Sequence, residues 1–176
     1  MTSYAIEKLA RDDGTSIAFY TWPAPSQSIK GAVQIAHGLV EHAARYDRFA
    51  QALTRAGYVV YASDHRGHGQ TQTGPAEFGH FGDREGFTRV VEDLHAVNQR
   101  IAAARPGVPR VLFAHSFGSF AAQAYLGQYG DSLSAAVLSG TNSGVALLMK
   151  AAVRVAFAER WRLGGRGRSP LLTKLS

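Results

Sequence analysis

The sequence contains no cysteine, which excludes disulfides, thiolate metal centres and cysteine nucleophiles, and a reducing compartment is expected. It also lacks a continuous apolar segment near its start. Glu7, Lys8, Arg11, Asp12 and Asp13 stand where a secretory leader needs an uninterrupted hydrophobic run, so export is not expected and a cytoplasmic location is. Charge is nearly absent between positions 111 and 149, where Asp131 is the only Asp, Glu, Lys or Arg. That stretch invites a membrane reading, but His115, Gln123, Gln128, Thr141 and Asn142 interrupt it, and glycines divide it. It is expected to be the most buried strand, helix and strand of a globular domain.

What is present fits a single domain: 176 residues, 45% hydrophobic and 18% charged. The net charge of +6 is unevenly placed. Residues 1–144 hold equal numbers of cations and anions, so the whole excess lies in 145–176, where Glu159 is the only acid. Gly164, Gly165, Arg166, Gly167 and Arg168 resemble a basic nucleic-acid-binding tail, and binding of anionic lipid or RNA there is one reading. Without interleaved aromatics no nucleic-acid partner is expected, and Lys150, Arg154, Arg160 and Arg162 read as the solvated side of helices.

Ser16–Trp22 alternates and is rich in β-branched and aromatic residues, so a strand is expected after a turn at Asp12, Asp13 and Gly14, with the preceding segment as its hairpin partner. From Gly31 onward short apolar runs alternate with helical periodicity. Strands are expected at 32–36, 58–62, 111–114 and 135–138, and helices at 46–56, 87–104 and about 118–129. Strands with little polar alternation, separated by helices, predict an α/β fold: a mostly parallel sheet with helices on both faces.

Three loops carry candidate chemistry. Ser116, flanked by Ala114 and Gly118 where a strand meets a helix, fits a nucleophile elbow, in which small neighbours permit a sharp turn that lifts the hydroxyl off the sheet. An N-capping serine is the ordinary alternative. Ala36 to His42 also lies between a strand and a helix, and acyl transfer needs backbone N–H donors from such a loop and from the residue after the nucleophile. Leu39 and Phe117 are the candidate donors, and His37 is expected to be tucked beneath the loop. Asp64, His65, Arg66, Gly67, His68 and Gly69 form the third. A tight turn is expected there rather than a metal site, because no second ligand cluster accompanies the histidines, and the glycines lack the spacing of a dinucleotide fingerprint.

Together these loops resemble the α/β-hydrolase superfamily. His37-Gly38-Leu39-Val40-Glu41-His42, Arg45-Tyr46 and Asp64 through Thr71 look specifically like its monoacylglycerol lipase and lysophospholipase branch, often labelled serine aminopeptidase-like. The resemblance implies Ser116 as nucleophile, the Leu39 and Phe117 amides as oxyanion hole, and Glu41 and Arg45 near the polar head of a small lipid ester. His37 and Gly38 are implied as structural loop residues. No cofactor or metal is implied. Val40 stands where the family has a second loop glycine. Residues 1–144 then correspond to the N-terminal part of the hydrolase core and 145–176 to the start of a helical cap, through which transient membrane contact is expected.

The triad of this fold follows the order Ser, acid, His. The seven histidines, at 37, 42, 65, 68, 80, 95 and 115, all precede Ser116, and the only later acids are Asp131 and Glu159. The expectation is a serine ester hydrolase whose acid and histidine lie in further sequence, so that these residues alone are inactive. A catalytically inactive homologue serving as a lipid-binding or interaction module is the alternative, and a second polypeptide supplying the missing groups is another.

Overall fold

The structure is a computed structural model that describes residues 3–25, 28–74, 78–142, 147–164, 167, 169 and 170, the side chains of 147–152 aside. Gly165, Arg166 and Arg168 of the basic stretch lie outside the described residues. The chain divides into two compact units, Met1–Thr141 and Asn142–Ser176.

The first unit is a six-stranded sheet: β1 (Ala5–Ala10), β2 (Ser16–Trp22), β3 (Gly31–Ala36), β4 (Tyr58–Ser63), β5 (Arg110–His115) and β6 (Ala135–Ser139), in the spatial order β1-β2-β4-β3-β5-β6. β1 and β2 form the expected antiparallel hairpin, and β2 runs antiparallel to β4. The remaining pairings, β4 with β3, β3 with β5 and β5 with β6, are parallel. Among the described residues this unit has three α-helices: α1 (Asp47–Arg55), α2 (Gly86–Ala104) and α3 (Phe117–Tyr129). The sheet is mostly parallel with helices on both faces, as expected, and each of these expected elements lies within one or two residues of its expected ends.

Alternation along the strands sends side chains to two different cores. Ala18, Tyr20, Trp22, Val33, Ile35, Val60 and Ala62 face α1 and meet Ala50 and Leu53. Ala36, Leu112 and Ala114 face the other way, onto Val90, Val91 and Leu94 of α2 and Ala121, Ala122 and Tyr125 of α3. Phe19, Ala32, Val59 and Tyr61 meet Val97 and Ile101 of α2 on that side. Polar groups buried there are paired: Gln34 donates to Leu94 O at 2.9 Å and accepts from Asn98 at 3.2 Å.

The second unit contains α4 (Leu147–Leu163). Val153, Phe157 and Trp161, four residues apart, form an exposed stripe along it, and Arg162 pairs with Glu159 at 2.9 Å.

Candidate active site

Parallel pairing puts the C-terminal ends of β3, β4 and β5 on one edge of the sheet, where ligands bind in open α/β folds. The three loops singled out by sequence follow these strands and are therefore brought together. Ser116 sits between β5 and α3 with φ +50° and ψ −119°, a positive-φ conformation that residues with a side chain rarely adopt. Its N–H donates to Ser139 O at 2.9 Å, and its carbonyl accepts from Ser119 N and Oγ at 2.8 and 2.6 Å. Its side chain caps nothing, and among the described residues its hydroxyl has no hydrogen-bond partner. The N-cap alternative therefore fails for the side chain.

Close packing produces this turn. A Cβ on Gly118 would lie 2.4 Å from Ala36 O and 2.6 Å from His37 O, so α3 starts against the β3 backbone in a way that only glycine permits. A Cβ on Gly38 would lie 3.2 Å from the Ser116 Cβ, so the β3 loop rests on the serine itself. Ala114, where the pattern usually has glycine, lies within regular β5 and is fully buried in the cluster with Ala36, Ala121 and Ala122. A methyl group fits a position with ordinary strand geometry.

In the β3 loop, Leu39 is 47% exposed, and neither its N–H nor that of Phe117 donates to another backbone group among the described residues. Glu41 turns back into the loop. Its carboxylate accepts from Gly38 N–H and from the Tyr46 hydroxyl at 2.9 Å, with Arg45 Nη1 at 3.6 Å. Burial and the Glu41 charge hold the Tyr46 hydroxyl well above the usual phenol value, so it remains a donor. Sequence reasoning missed Tyr46 as a brace, because no local pattern tells where a carboxylate five residues earlier will fold.

Beneath the loop lie His37 and His65, with ring centres 4.0 Å apart. His65 N–H donates to His37 Nε2 at 2.9 Å, which leaves His37 Nδ1–H to donate to Gly38 O at 2.7 Å. His65 Nε2–H donates to His37 O at 2.9 Å. Asp64 joins the same region, accepting from Tyr20 Oη, Ala43 N and Gln70 N at 2.7–2.8 Å. Arg66 is buried with Asp93 of α2 in a paired contact of 2.6 and 3.0 Å. Among the described residues no group of three His, Asp or Glu could hold a metal ion. None of the seven histidines hydrogen-bonds to Ser116: His115 reaches Ser139 Oγ at 3.2 Å, and His95 stacks on Tyr129 at 3.8 Å.

Phe81 stacks on Phe117 with ring centres 4.9 Å apart, and Phe87 meets the same ring edge-on at 6.1 Å. These aromatic neighbours of the elbow were also missed by the sequence reading, since Phe81 lies in a loop and the helical spacing of 87–104 does not tell which distant ring Phe87 meets.

Residues 27–171 match the family described as serine aminopeptidase, S33. The chain belongs to that family. It is 36% identical over 146 residues to a monoacylglycerol lipase of Mycolicibacterium smegmatis, a match covering 81% of this chain and 50% of that enzyme. It is 34% identical over 113 residues to a monoglyceride lipase of Rattus norvegicus, covering 62% of this chain and 34% of the relative. Among solved structures, a thermostable carboxyl esterase from Bacillus coagulans in complex with glycerol superposes with a TM-score of 0.75 at 28% identity, over 90% of this chain and 52% of that one. The chain thus spans between a third and about half of the length of these relatives.

Two consequences of this S33 site can be measured. Val40 has φ +58°, where a β-branched residue is strained, and its side chain is 59% exposed. Val40→Gly is expected to raise stability by about 1 kcal/mol in urea denaturation, because relief of the left-handed backbone outweighs the small loss of burial. An unchanged or lower midpoint would show that the loop holds no such strain.

The second concerns pH. Burial pushes His37 down to about 3, against its backbone bond to Gly38, and burial together with the neighbouring His37 pushes His65 well below 6.5. Both are neutral when folded, whereas unfolding restores ordinary titration near 6.5, so below that value the unfolded chain binds protons the folded one does not. Stability contributed by these groups is therefore complete above about pH 7 and falls with pH toward 3, by about 1.4 kcal/mol per unit for each imidazole. Urea midpoints at pH 7 and 5.5 are expected to differ by about 2 kcal/mol; equal midpoints would mean that the pair protonates freely in the fold.

Proposed function

We propose that this chain carries the nucleophile and oxyanion hole of a carboxylic-ester hydrolase acting on small lipid esters of the monoacylglycerol or lysophospholipid kind. The observation that carries the reading is Ser116: a serine held at positive φ at the end of the parallel strand β5 and the start of α3, its hydroxyl without a partner among the described residues. Ser116 Oγ attacks the ester carbonyl, a bond to the acyl carbon forms, and the carbonyl electrons move onto the oxygen. The Leu39 and Phe117 N–H groups receive that oxyanion, each of a type whose loss costs about 2.7–4 kcal/mol of transition-state stabilisation. Phe117 N–H belongs to the open first turn of α3, where the helix dipole also favours negative charge.

Glu41 fixes the aim of the Leu39 amide by holding Gly38 N–H, and exposed Arg45 is left to face the polar head of the substrate. A histidine from polypeptide outside these 176 residues takes the serine proton and returns it to the leaving alcohol, with an acid from the same polypeptide orienting it and stabilising the imidazolium. The lipid class is supported by the monoacylglycerol and monoglyceride lipase relatives. Residues 145–176 serve as the beginning of a cap, and the exposed stripe of Val153, Phe157 and Trp161 beside Arg160 and Arg162 suits transient contact with a lipid surface.

A fluorophosphonate probe tests the chemistry. A longer chain that adds an acid and a histidine is expected to be labelled at Ser116, and the 176 residues alone are not. Absence of label on the longer chain would leave a lipid-binding homologue without catalysis. Rapid labelling of the 176 residues would overturn the need for an external histidine.

A further inference from the structure

The peptide that joins Ser116 to Phe117 is loaded at one end only. Its carbonyl oxygen, on Ser116, accepts from Ser119 N–H at 2.8 Å and from the Ser119 hydroxyl at 2.6 Å. Its N–H, on Phe117, donates to no backbone group among the described residues. In a trans peptide the two groups point in opposite directions, so whatever holds the carbonyl also aims the N–H. The Phe117 side of the peptide is held by its ring, which lies flat on Phe81 at 4.9 Å and meets Phe87 and His65 edge-on at 6.1 and 5.7 Å.

Ser119 is fully buried on α3, and its hydroxyl makes no other hydrogen bond among the described residues. Helix serines often bond a carbonyl one turn back, an arrangement that slightly destabilises helices. What sets Ser119 apart is the carbonyl it reaches. That oxygen already has a backbone donor, belongs to the serine at the elbow, and shares its amide with an N–H that stays open.

We infer that Ser119 is a positioning residue for the oxyanion hole: its hydroxyl polarises the Ser116–Phe117 peptide, making Phe117 N–H a stronger and better aimed donor to the developing oxyanion. A hydrogen bond accepted by a carbonyl draws electron density toward its oxygen and leaves the N–H of the same amide more positive, so the bonds on either side of the peptide reinforce one another. The polarisation is in place before substrate arrives, and its effect is largest once charge has formed on the substrate oxygen, which is when a donor accelerates the reaction. This inference rests on the proposed ester chemistry, in which Phe117 N–H is one of the two donors.

The experiment compares Ser119→Ala with Ser119→Thr, each checked for folding by circular dichroism. In the 176 residues, NMR of the Ser116 carbonyl carbon and the Phe117 amide reads the bond itself. Ser119→Ala is expected to move both resonances upfield, and Ser119→Thr, which keeps a hydroxyl, to leave them near those of the parent. In the longer chain that supplies the acid and histidine, Ser119→Ala is expected to lower kcat on a short soluble ester with KM unchanged, and Ser119→Thr to retain it. An oxyanion donor is worth about 10²–10³ in kcat and one cooperative bond about 10–30% of a bond's strength, so the expected loss is about two- to eightfold. Shifted resonances with the parent's kcat overturn the inference, since the bond would then be structural only. So do resonances that Ser119→Ala leaves unmoved, a change confined to KM, or a folded Ser119→Thr as slow as Ser119→Ala. A longer parent chain that hydrolyses no ester overturns the ester reading and this inference together, and is told apart from those results because the parent itself is inactive.

Discussion

Ser116→Ala, placed in a longer chain that supplies the acid and histidine, is expected to reduce ester hydrolysis by about 10⁵- to 10⁶-fold and to abolish fluorophosphonate labelling. Removal of a triad nucleophile costs about this much elsewhere, because the remaining oxyanion donors and binding groups stabilise a transition state that no longer has an attacking oxygen. Stability gives an internal control in the 176 residues themselves. Alanine keeps the Cβ that makes φ +50° unfavourable, so Ser116→Ala should shift the urea midpoint by no more than about 0.5 kcal/mol. Ser116→Gly removes the Cβ and should raise stability by about 1 kcal/mol while being equally inactive. A protein stabilised by loss of its serine is the expected signature of strain held at a reacting group. Full hydrolysis by Ser116→Ala would remove Ser116 from the mechanism.

Gly118→Ala is expected to lower stability by about 3 kcal/mol or more, a large part of the 5–15 kcal/mol that typically holds a domain together. The added carbon would sit 2.4 and 2.6 Å from the Ala36 and His37 carbonyl oxygens, which are backbone atoms of β3 and its loop and cannot rotate aside. Relief requires the first turn of α3 to retreat from the sheet, which would also move the Phe117 N–H and the support under Gly38. Gly127, nine residues on in the same helix, makes the contrast: a Cβ there meets nothing within 4 Å. Gly127→Ala should therefore stabilise by about 0.5–1 kcal/mol through helix propensity alone. Opposite signs for the same substitution in one helix, read by urea denaturation, are the outcome to look for. Two changes of equal sign would mean that the close approach of α3 to β3 does not govern the elbow.

Much of this architecture was legible along the chain. The run 32–36, with little polar alternation and bounded by Gly31 and Gly38, reads as a strand buried on both faces, and the helical spacing in 87–104 reads as an amphipathic helix. The elbow was legible because it is local: strand, serine, glycine and helix are contiguous, and the steric demand acts within a few residues. Other features were invisible for the converse reason. That Glu41 folds back to Gly38 and Tyr46 depends on the path of the loop. That Arg66 is buried against Asp93 depends on α2 crossing beneath the β4 loop. His65 and His68 read from sequence as a tight turn with ligand-capable side chains, but only packing showed His65 interlocked with His37 and the turn closed over Asp64.

The sequence by itself determined which segments are strands and helices, the residue types in each loop, and the absence of any histidine after Ser116, since these follow from periodicity, local sterics and order along the chain. Tertiary structure decided which of those residues meet. Strand order β4-β3-β5 places chain segments far apart in sequence side by side, and their parallel pairing turns three separate loops to one edge. It also decided which residues of like type are buried, so that among the described residues Ile35 of β3 is enclosed and Val137 of β6 is exposed, because burial is a property of neighbours in space that neither strand's local pattern states.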